Sequence, residues 1–436
     1  MPDNGNKSRP VRTLTVKNFS VIKDAKLEFR KVTVLIGPQA SGKSLLCRLA
    51  FFFQQVVSEQ AEESIKASEE FEQFRKRLSD TFIFWFGFDS TATQSSEIRF
   101  CSGSYMVLHT EERRGEPGSA KLEWSFSPEF QECYELVWNK LSAEKARPES
   151  LPNPKFFAEE IRERLAELRG DYSPEIYSYL PATRAFYLSA HQAIFGTARR
   201  RDDIELRFAQ DFNYDFENRL PKSALEHPLS QWINSESERI LQGRIFSTGS
   251  DFHFKSDEGR TLMLPQLSSG TQELLPLMTC LREYVVASAA VAKTLDLPRA
   301  LHKRLFFLEE PETNVFPSTQ YDLVRIFARM ANEPILDVYW VITTHSPYIL
   351  SVFNNLLEAF QVVAAKPALK EEVARLIPES YWVKSSDFKA YCINDGKLES
   401  IMDSETGLVS ANYLDSVSET IGVEFDELLR LGYVES

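Results

Sequence analysis

The feature that most constrains this sequence is the octapeptide GPQASGKS at residues 37–44. It follows a continuous apolar stretch, Val32–Ile36, and precedes a second apolar run, LLCRLAFFF, which predicts a buried strand before the loop and a helix after it. The glycines allow backbone N–H groups to wrap around a phosphate, and the start of the helix adds partial positive charge. A chance match to G-x-x-x-x-G-K-[ST] in a chain of this length is expected at about one or two per cent. The octapeptide therefore predicts a phosphate-binding loop.

Two side chains at the end of this loop are expected to act on the nucleotide. Lys43 is predicted to reach the β- and γ-phosphates of ATP, and Ser44 is predicted to hold Mg²⁺. The sequence thus implies ATP and Mg²⁺ as the bound cofactors. The residues predicted to bind the nucleotide here are Gly37, Pro38, Gln39, Ala40, Ser41, Gly42, Lys43, Ser44 and Leu45.

A second motif, RLFFLEEPE at residues 304–312, places two carboxylates at the end of an apolar strand. In such a position Glu309 can hold Mg²⁺ through water, and Glu310 can orient or deprotonate an attacking water molecule. Two glutamates after a strand are also typical of a solvated strand end. This motif by itself leaves both interpretations open.

Two further segments are informative only together with the others. LSSGTQELLPL, residues 267–277, opens a helix with small residues, and Ser268, Ser269 and Gly270 could bind an anion there. The alternative is an ordinary helix N-cap followed by a core helix. VITTHSPYIL delivers His345 at a strand end, where ligands bind in α/β sheets, although a lone histidine is usually structural.

Composition and charge narrow the functional class. The chain has 436 residues, enough for a large core, and a net charge of −13, which does not favour constitutive DNA binding through phosphate neutralisation. Direct nucleic-acid binding stays open, but the compact basic run at residues 199–201 is followed at once by acidic residues and is typical of a solvated segment. The five cysteines are scattered and lack metal-ligand spacing, which indicates a reducing, cytoplasmic setting. Neither a secretory signal nor a membrane-spanning stretch is predicted.

Apolar periodicity predicts alternating strands and helices, and therefore an α/β fold. Hairpin turns are predicted at Ser102-Gly103, near Asp257–Gly259 and at Asp395-Gly396. The predicted strands are Thr13–Val16, Ala25–Phe29, Val32–Ile36, Arg304–Leu308 and Val338–Ile342. The predicted helices run from Gly42 towards Arg77, over Lys155–Arg169, Thr271–Ala292 and Ser318–Met330, and to a last one ending near Leu431.

The order of the four motifs settles what each alone leaves open. Lys43, Ser269-Gly270, Glu309-Glu310 and His345 follow one another as Walker A, signature, Walker B and switch histidine, and this set resembles the ABC ATPase superfamily over nearly the whole chain. The opening resembles the amino-terminal lobe of RecF and SMC-like heads. Three segments resemble the ATPase part of the OLD (overcoming lysogenization defect) family more closely still: EEPETNVFP, LSSGTQELLPL and TTHSPYIL. That family includes standalone antiphage ATPases such as AriA and PtuA.

This resemblance implies a composite site between two copies of the chain. Lys43 and Ser44 of one copy would hold the triphosphate and the metal, while Ser269 and Gly270 of the other would cap the γ-phosphate. Glu310 would be the catalytic base and His345 would sense the γ-phosphate, with Glu309 near the metal through water. The implied fold is a RecA-like mixed sheet flanked by helices, with an antiparallel β subdomain and a helical insertion.

The sequence departs from the family pattern at several positions. Gln39 replaces a common asparagine, Glu309 replaces a common aspartate, and Phe316 occupies the place of a histidine, which puts the local dimer contact in doubt. Gln94 is the only candidate that we can suggest for the Q-loop glutamine. About ninety residues follow His345 without a D-x-D pair, so the nuclease half of OLD proteins is predicted to be absent, and long coiled-coil arms do not fit between the motifs.

These observations predict a single ATPase head that divides into four parts: an N-terminal lobe (1–60), a β/helical insertion (61–240), a second lobe with signature, Walker B and switch histidine (241–385), and a C-terminal hairpin and helix (386–436). The predicted function is an ATP-driven switch that forms a homo-oligomer and controls a separately encoded effector such as a nuclease, in antiphage defence or DNA-repair signalling. The alternatives are an ATPase-nuclease in one chain and a transport ATPase subunit.

Overall fold

The computed structural model describes residues 10–87, 95–112, 121–147, 153–170, 175–185, 225–248, 251–295 and 303–410. Three features suggested by the sequence, Gln94, the basic run at 199–201 and the helix ending near Leu431, lie outside these residues. The fourteen strands of the described part are β1 Arg12–Phe19, β2 Ile22–Phe29, β3 Val32–Ile36, β4 Ser96–Ser102, β5 Tyr105–Glu112, β6 Lys121–Phe126, β7 Glu175–Leu180, β8 Gly243–Thr248, β9 Asp251–Ser256, β10 Thr261–Met263, β11 Lys303–Glu309, β12 Val338–Thr344, β13 Phe388–Asn394 and β14 Lys397–Ser400.

The described part of the chain also contains ten α-helices. They are α1 Lys43–Phe51, α2 Val57–Lys66, α3 Phe71–Phe86, α4 Pro128–Lys145, α5 Pro154–Leu168, α6 Pro228–Leu241, α7 Ser269–Leu295, α8 Pro317–Asn332, α9 Pro347–Ala365 and α10 Lys370–Leu376. From α7 to α9 the helices alternate with single strands. A π-helical turn, Phe52–Val56, joins α1 to α2.

Eleven of the strands form one mixed sheet in the order β6-β5-β4-β1-β2-β14-β13-β3-β12-β11-β7. Strands β13, β3, β12, β11 and β7 run parallel, whereas β1, β2, β4, β5 and β6 pair antiparallel. Parallel strands are buried on both faces and therefore read as continuous apolar runs, which is why Val32–Ile36 was recognisable in the sequence. The predicted mixed sheet with an antiparallel part is confirmed.

Each face of the sheet carries its own hydrophobic core. Phe306 and Leu308 of β11 point to one side, where they pack with α7, α8 and α9. Leu305 and Phe307 point to the other, which α1, α2, α3 and α5 cover. Because strand side chains alternate between faces, Glu309 lies on the same face as Phe307, beneath α1. Both faces of the sheet are thus covered by helices, as predicted.

The segment after the phosphate-binding loop differs from its prediction. One helix was expected from Gly42 towards Arg77, but α2 ends at Lys66 and α3 begins only at Phe71. Ser68 adopts a left-handed conformation with φ of 60°, and a capping box between Glu70 and Gln73 starts α3. The apolar periodicity continues across this break, so periodicity alone does not reveal it.

The C-terminal hairpin is an integral part of the main sheet. Its predicted turn is confirmed, with positive φ at both Asp395 and Gly396. Strand β13 pairs with β3, and the carbonyl oxygen of Ile393 lies 2.3 Å from where a Cβ on Gly37 would be. The hairpins at Gly103 and Gly259 are likewise present. The boundaries of the four predicted parts stay a prediction.

Two described helices, α7 and α9, are long and apolar enough to cross a bilayer by length and composition alone. Both contribute to the hydrophobic core, α7 through residues such as Leu277 and Leu281 and α9 through Phe353 and Leu357. Core helices of a soluble domain pass the same test of length and composition. The two helices are therefore weak evidence for a membrane span.

A buried ion cluster joins the first strand to the parallel part of the sheet. The fully buried Glu175 of β7 accepts from Arg12 Nη2 at 2.5 Å and lies 2.9 Å from Lys303 Nζ. Burial alone would raise the pKa of Glu175, but the two cations hold that pKa well below its ordinary value. The cluster thus stabilises the fold only while Glu175 is ionised.

Replacing this carboxylate is expected to destabilise the protein. Glu175→Gln should lower the free energy of unfolding by about 3 kcal/mol, because it removes the negative charge that faces two buried cations. The exposed pair of Glu371 with Arg375 gives the control, and Glu371→Gln should change stability by less than about 0.5 kcal/mol. The pKa of Glu175 is lower in the folded protein than in the unfolded chain, so its carboxylate stabilises the fold fully above the unfolded pKa and loses this effect as the pH falls. The difference in unfolding free energy between wild type and Glu175→Gln should therefore shrink below about pH 4. Equal urea midpoints at pH 7 would contradict the prediction.

Candidate functional site

The predicted site residues follow the carboxyl ends of three neighbouring parallel strands. Strand β3 leads into the loop at residues 37–44, β11 ends at Glu309, and β12 leads to His345. Strand β12 lies between the other two, so the three ends meet at one edge of the sheet. Ligands of α/β proteins bind at this edge.

The phosphate-binding loop has the shape that its glycines permit. Gly42 has φ of 104°, and a Cβ there would meet Ile22 Cδ1 at 2.4 Å, so only glycine fits. Pro38, Gln39 and Ala40 are exposed. Within the described residues no side chain caps the start of α1, which leaves its first N–H groups available for an anion.

Lys43 is buried under this loop and is 4 % exposed. Its Nζ donates to the carbonyl oxygens of Gly37 at 2.9 Å and Pro38 at 2.8 Å, and it lies 3.4 Å from Nδ1 of His345. Burial lowers the pKa of Lys43, and the nearby carboxylates of Glu310 and Glu312 oppose that shift. The ammonium therefore lies in a site that an additional negative charge would stabilise.

Glu310 and His345 complete a continuous line of polar contacts from Lys43. His345 Nε2 lies 3.3 Å from Glu310 Oε1, and both side chains are about one-third exposed, at 32 % and 28 %. Glu310 has φ of 43°, a left-handed conformation that costs a non-glycine residue about 1 kcal/mol or more, and its N–H donates to the carbonyl of Thr343 at 2.9 Å. Lys43, His345 and Glu310 thus form one line of polar contacts that runs from a buried ammonium to two partly exposed side chains.

Glu309 has a different environment from its neighbour. Glu309 is 2 % exposed, and its carboxylate accepts hydrogen bonds from the Tyr179 hydroxyl at 2.7 Å and the Ala182 N–H at 3.2 Å. Because both oxygens have partners inside the protein, this carboxylate is fixed in place. The buried, hydrogen-bonded Glu309 and the accessible Glu310 are suited to different tasks.

The signature segment lies at the start of α7. Ser268 Oγ accepts from the Thr271 N–H at 3.2 Å, so the ordinary N-cap role considered for this segment is present. Ser268 and Ser269 are exposed. A Cβ on Gly270 would meet the carbonyl oxygen of Asn314 at 2.8 Å, so the start of the helix packs directly against the segment that follows Glu310.

Sequence reasoning missed two residues that contact the site. Glu312 accepts from the backbone N–H of His345 at 2.5 Å and so fixes the histidine loop, and burial raises the pKa of this carboxyl group. Arg184 donates to the carbonyl oxygens of both Glu309 and Glu310. Two signals could have found them: the last glutamate of EEPE, and the arginine of LPATR, a segment that begins at the end of strand β7.

The described residues fit a magnesium-bound triphosphate. Ser41 Oγ is buried beside the loop and has no hydrogen-bond partner among the described residues, as expected of a group that meets a ligand. The adjoining N–H groups of α1 favour phosphate oxygens, and the Ser44 hydroxyl and the carboxylates are the hard oxygen donors that Mg²⁺ prefers. The donor set is therefore the one that ATP with Mg²⁺ requires.

The chain also matches a described protein family. The family model "AAA domain, putative AbiEii toxin, Type IV TA system" matches residues 32–351, which is more than half of the chain and includes all the motifs above. A comparison with curated proteins gives no match.

Among solved structures, SMC heads are similar to this chain. The SMC head bound to the C-winged helix domain of ScpA has 10 % identity and a TM-score of 0.41, covering 90 % of this chain and 97 % of that one. The SMC head domain from Thermotoga maritima has 11 % identity, coverages of 90 % and 98 % and a TM-score of 0.35. The Pyrococcus furiosus SMC head with an extended coiled coil, bound to the C-terminal domain of ScpA, has 10 % identity, coverages of 95 % and 99 % and a TM-score of 0.34.

Proposed function

The chain belongs to this AAA-domain family of the AbiEii type, and we propose that it is a molecular switch which binds and hydrolyses ATP. The order of the motifs predicts an ABC-type ATPase head of the RecF/SMC-like class, and membership in this family agrees with that prediction. The observation that carries the proposal is the line of contacts from Lys43 through His345 to Glu310, which ends at partly exposed side chains. Phosphoryl transfer to water needs a cation that binds the phosphates and a base that accepts a proton from the water. Lys43 and Glu310 supply these two groups, and His345 lies between them.

Each residue has a defined part in this proposal. Lys43 exchanges its bonds with the loop carbonyls for bonds with the β- and γ-phosphates. Glu310 accepts the proton of the attacking water, and His345, next to both, contacts the γ-phosphate. Ser44 would hold Mg²⁺ directly and Glu309 would hold it through water, and the metal would supply positive charge for the phosphate oxygens.

A second copy of the chain is proposed to complete the site. Ser268 and Ser269 are exposed at the start of α7, where backbone N–H groups favour an anion. Phe316, in the segment that packs on Gly270, is 76 % exposed. An exposed aromatic residue beside an exposed anion-binding helix start is suited to contact with another subunit. ATP would thus close a dimer or a larger oligomer, and hydrolysis would reopen it.

The proposed output of this switch is control of a separately encoded effector such as a nuclease, in bacterial defence or DNA-repair signalling in the cytoplasm. The family description, which mentions a toxin–antitoxin system, supports a setting of this kind. In this proposal, oligomer formation covers the exposed surface around Phe316 and the start of α7. A partner that contacts this surface could therefore distinguish the open state from the closed one. Co-purification with the products of adjacent genes, with and without ATP, identifies that partner.

The purified protein alone tests the enzymatic part. We expect Mg²⁺-dependent phosphate release from ATP that disappears with EDTA, because the loop and carboxylates bind the triphosphate together with the metal. Phosphate release is measured with and without DNA, and the DNA is examined on a gel in the same reactions. The absence of ATP hydrolysis in all conditions would contradict the proposal, and cleavage of the DNA would favour the ATPase-nuclease alternative.

A further inference from the structure

Arg184 lies four residues beyond the end of β7 and is completely buried. Its Nη1 donates to the carbonyl oxygens of Glu309 at 2.7 Å and Pro181 at 3.3 Å, and its Nη2 donates to the carbonyl oxygen of Glu310 at 3.0 Å. Its Nε donates to the carbonyl oxygen of Glu273 at 3.1 Å and lies 3.5 Å from the Glu273 carboxylate. One planar guanidinium therefore connects the Walker B strand end with the second turn of α7.

These contacts act on the backbone that sets the direction of the Glu310 side chain. Three hydrogen bonds hold the left-handed backbone of Glu310: its N–H donates to Thr343, and its carbonyl oxygen accepts from the Thr313 N–H at 3.1 Å and from Arg184 at 3.0 Å. Arg184 is the side-chain donor among them, and its loss would weaken the support for a positive φ at Glu310. A change in φ would move the carboxylate away from His345, its neighbour at 3.3 Å.

The same guanidinium responds to the position of α7. Glu273 follows Ser269 by four residues, so it lies one helical turn beyond the exposed start of the helix. Burial raises the pKa of the Glu273 carboxyl, and the nearby Arg184 opposes that shift, so the two groups depend on each other. A displacement of this helix end would change the donors available to Glu309 and Glu310.

We infer that Arg184 is a positioning residue which couples the signature end of α7 to the orientation of the Glu310 carboxylate. This inference rests on the proposed ATPase function and adds how the two halves of the site communicate. Arg184 contacts only backbone carbonyls at Walker B, so it acts through Glu310 and not on the nucleotide. Lysine cannot replace it, because the single ammonium of lysine lacks the forked donors of a guanidinium. It could not bond at once to the carbonyl of Glu273 and to those of Glu309 and Glu310.

Two variants test the coupling. Arg184→Met keeps an unbranched apolar stem and removes all the donors, and Arg184→Lys keeps the charge. We expect each to lower kcat by at least about tenfold, and Arg184→Met by about 100-fold, because a small misplacement of the base is costly. The Kd for ATP, measured with Mg²⁺ and a fluorescent ATP analogue, should change by less than about threefold. Arg169→Lys is the control, since Arg169 is also buried and bonds to Gln54 and Ser58 far from the catalytic edge.

A double-mutant cycle separates positioning from general loss of structure. Glu310→Gln leaves the carbonyl that Arg184 contacts in place, so the two changes can be combined. If Arg184 acts through Glu310, single-turnover hydrolysis by Arg184→Met with Glu310→Gln should equal that of Glu310→Gln alone within about threefold. The inference would be overturned if Arg184→Met lowered the hydrolysis rate of the Glu310→Gln protein by the same factor as it lowers that of the wild type. If Arg184→Met does not fold, Arg184→Lys takes its place in the same cycle.

The outcomes distinguish this inference from the proposed function. A wild-type protein that does not hydrolyse ATP would remove the proposed function and this inference with it. A wild-type protein that hydrolyses ATP, with Arg184→Lys equally fast, would remove only the role of Arg184. A decrease in kcat in Arg169→Lys as large as in Arg184→Lys would also contradict it, since the effect would then follow from loss of any buried guanidinium.

Discussion

Glu310→Gln is expected to lower ATP hydrolysis by about 10²- to 10⁴-fold while leaving ATP binding intact. Glutamine keeps the shape of the side chain and removes only its capacity to accept a proton from water. The Glu310 carboxylate lies beside His345 at 3.3 Å and is partly exposed, so the amide fits there without displacing neighbours. ATP should then remain uncleaved in the site.

The consequence of this block is an oligomer that does not reopen. We expect Glu310→Gln with Mg-ATP to elute earlier from a size-exclusion column than the same protein without nucleotide, with its mass determined by light scattering. Glu399→Gln, an exposed glutamate on β14, provides the matched control and should behave as wild type. The same elution volume with and without Mg-ATP would remove support for the oligomeric switch. Wild-type hydrolysis by Glu310→Gln would exclude Glu310 as the base.

Lys43→Ala is expected to weaken ATP binding by at least about 100-fold. The ammonium is the cation nearest the loop, and hydrogen bonds from a charged group contribute about 1.5–3 kcal/mol each, so the loss of two such bonds to phosphate oxygens amounts to about 3 kcal/mol or more. Isothermal titration with Mg-ATP measures the change. Affinity within about threefold of wild type would contradict the assignment of the phosphate site.

A loss of binding in this variant has a second explanation that needs its own control. Lys43 bonds to the carbonyls of Gly37 and Pro38, so its removal could loosen the loop. Lys43→Met, which retains the packing of the side chain, separates the two effects, since it should bind ATP as weakly as Lys43→Ala with a thermal midpoint nearer to wild type. Lys66→Ala, an exposed lysine of α2, should bind as wild type.

The edge of the sheet at which the site lies could be predicted from sequence because it depends on strand direction alone. Apolar and aromatic residues predominate in Val32–Ile36, in Leu305–Leu308 before Glu309 and in Val338–Ile342 before His345, which indicates parallel strands buried on both faces. Parallel strands end at one edge, so the polar residues that follow them must be close together. The convergence of Lys43, Glu310 and His345 needed no further information.

Other parts of the site depend on long-range packing that local patterns do not encode. The sequence places Arg184 just after a strand but does not show which groups it contacts, because its partners in α7 and at the Walker B strand end are 89 to 126 residues away. The break at Ser68 depends on one residue with a positive φ and a capping box, both inside a segment whose periodicity continues. The different environments of Glu309 and Glu310 also follow from alternation on β11, together with the position of Tyr179 on β7.

The order of strands in the main sheet has a consequence for synthesis of the chain. Strands β2 and β3 follow each other with only two residues between them, yet β14 and β13 lie between them in the sheet. The strand that carries the phosphate-binding loop therefore finds its two neighbours, β12 and β13, only after residues 344 and 394 have been made. We expect a nascent chain on the ribosome to keep both edges of β3 unpaired until late, when such edges are open to aggregation or to a chaperone.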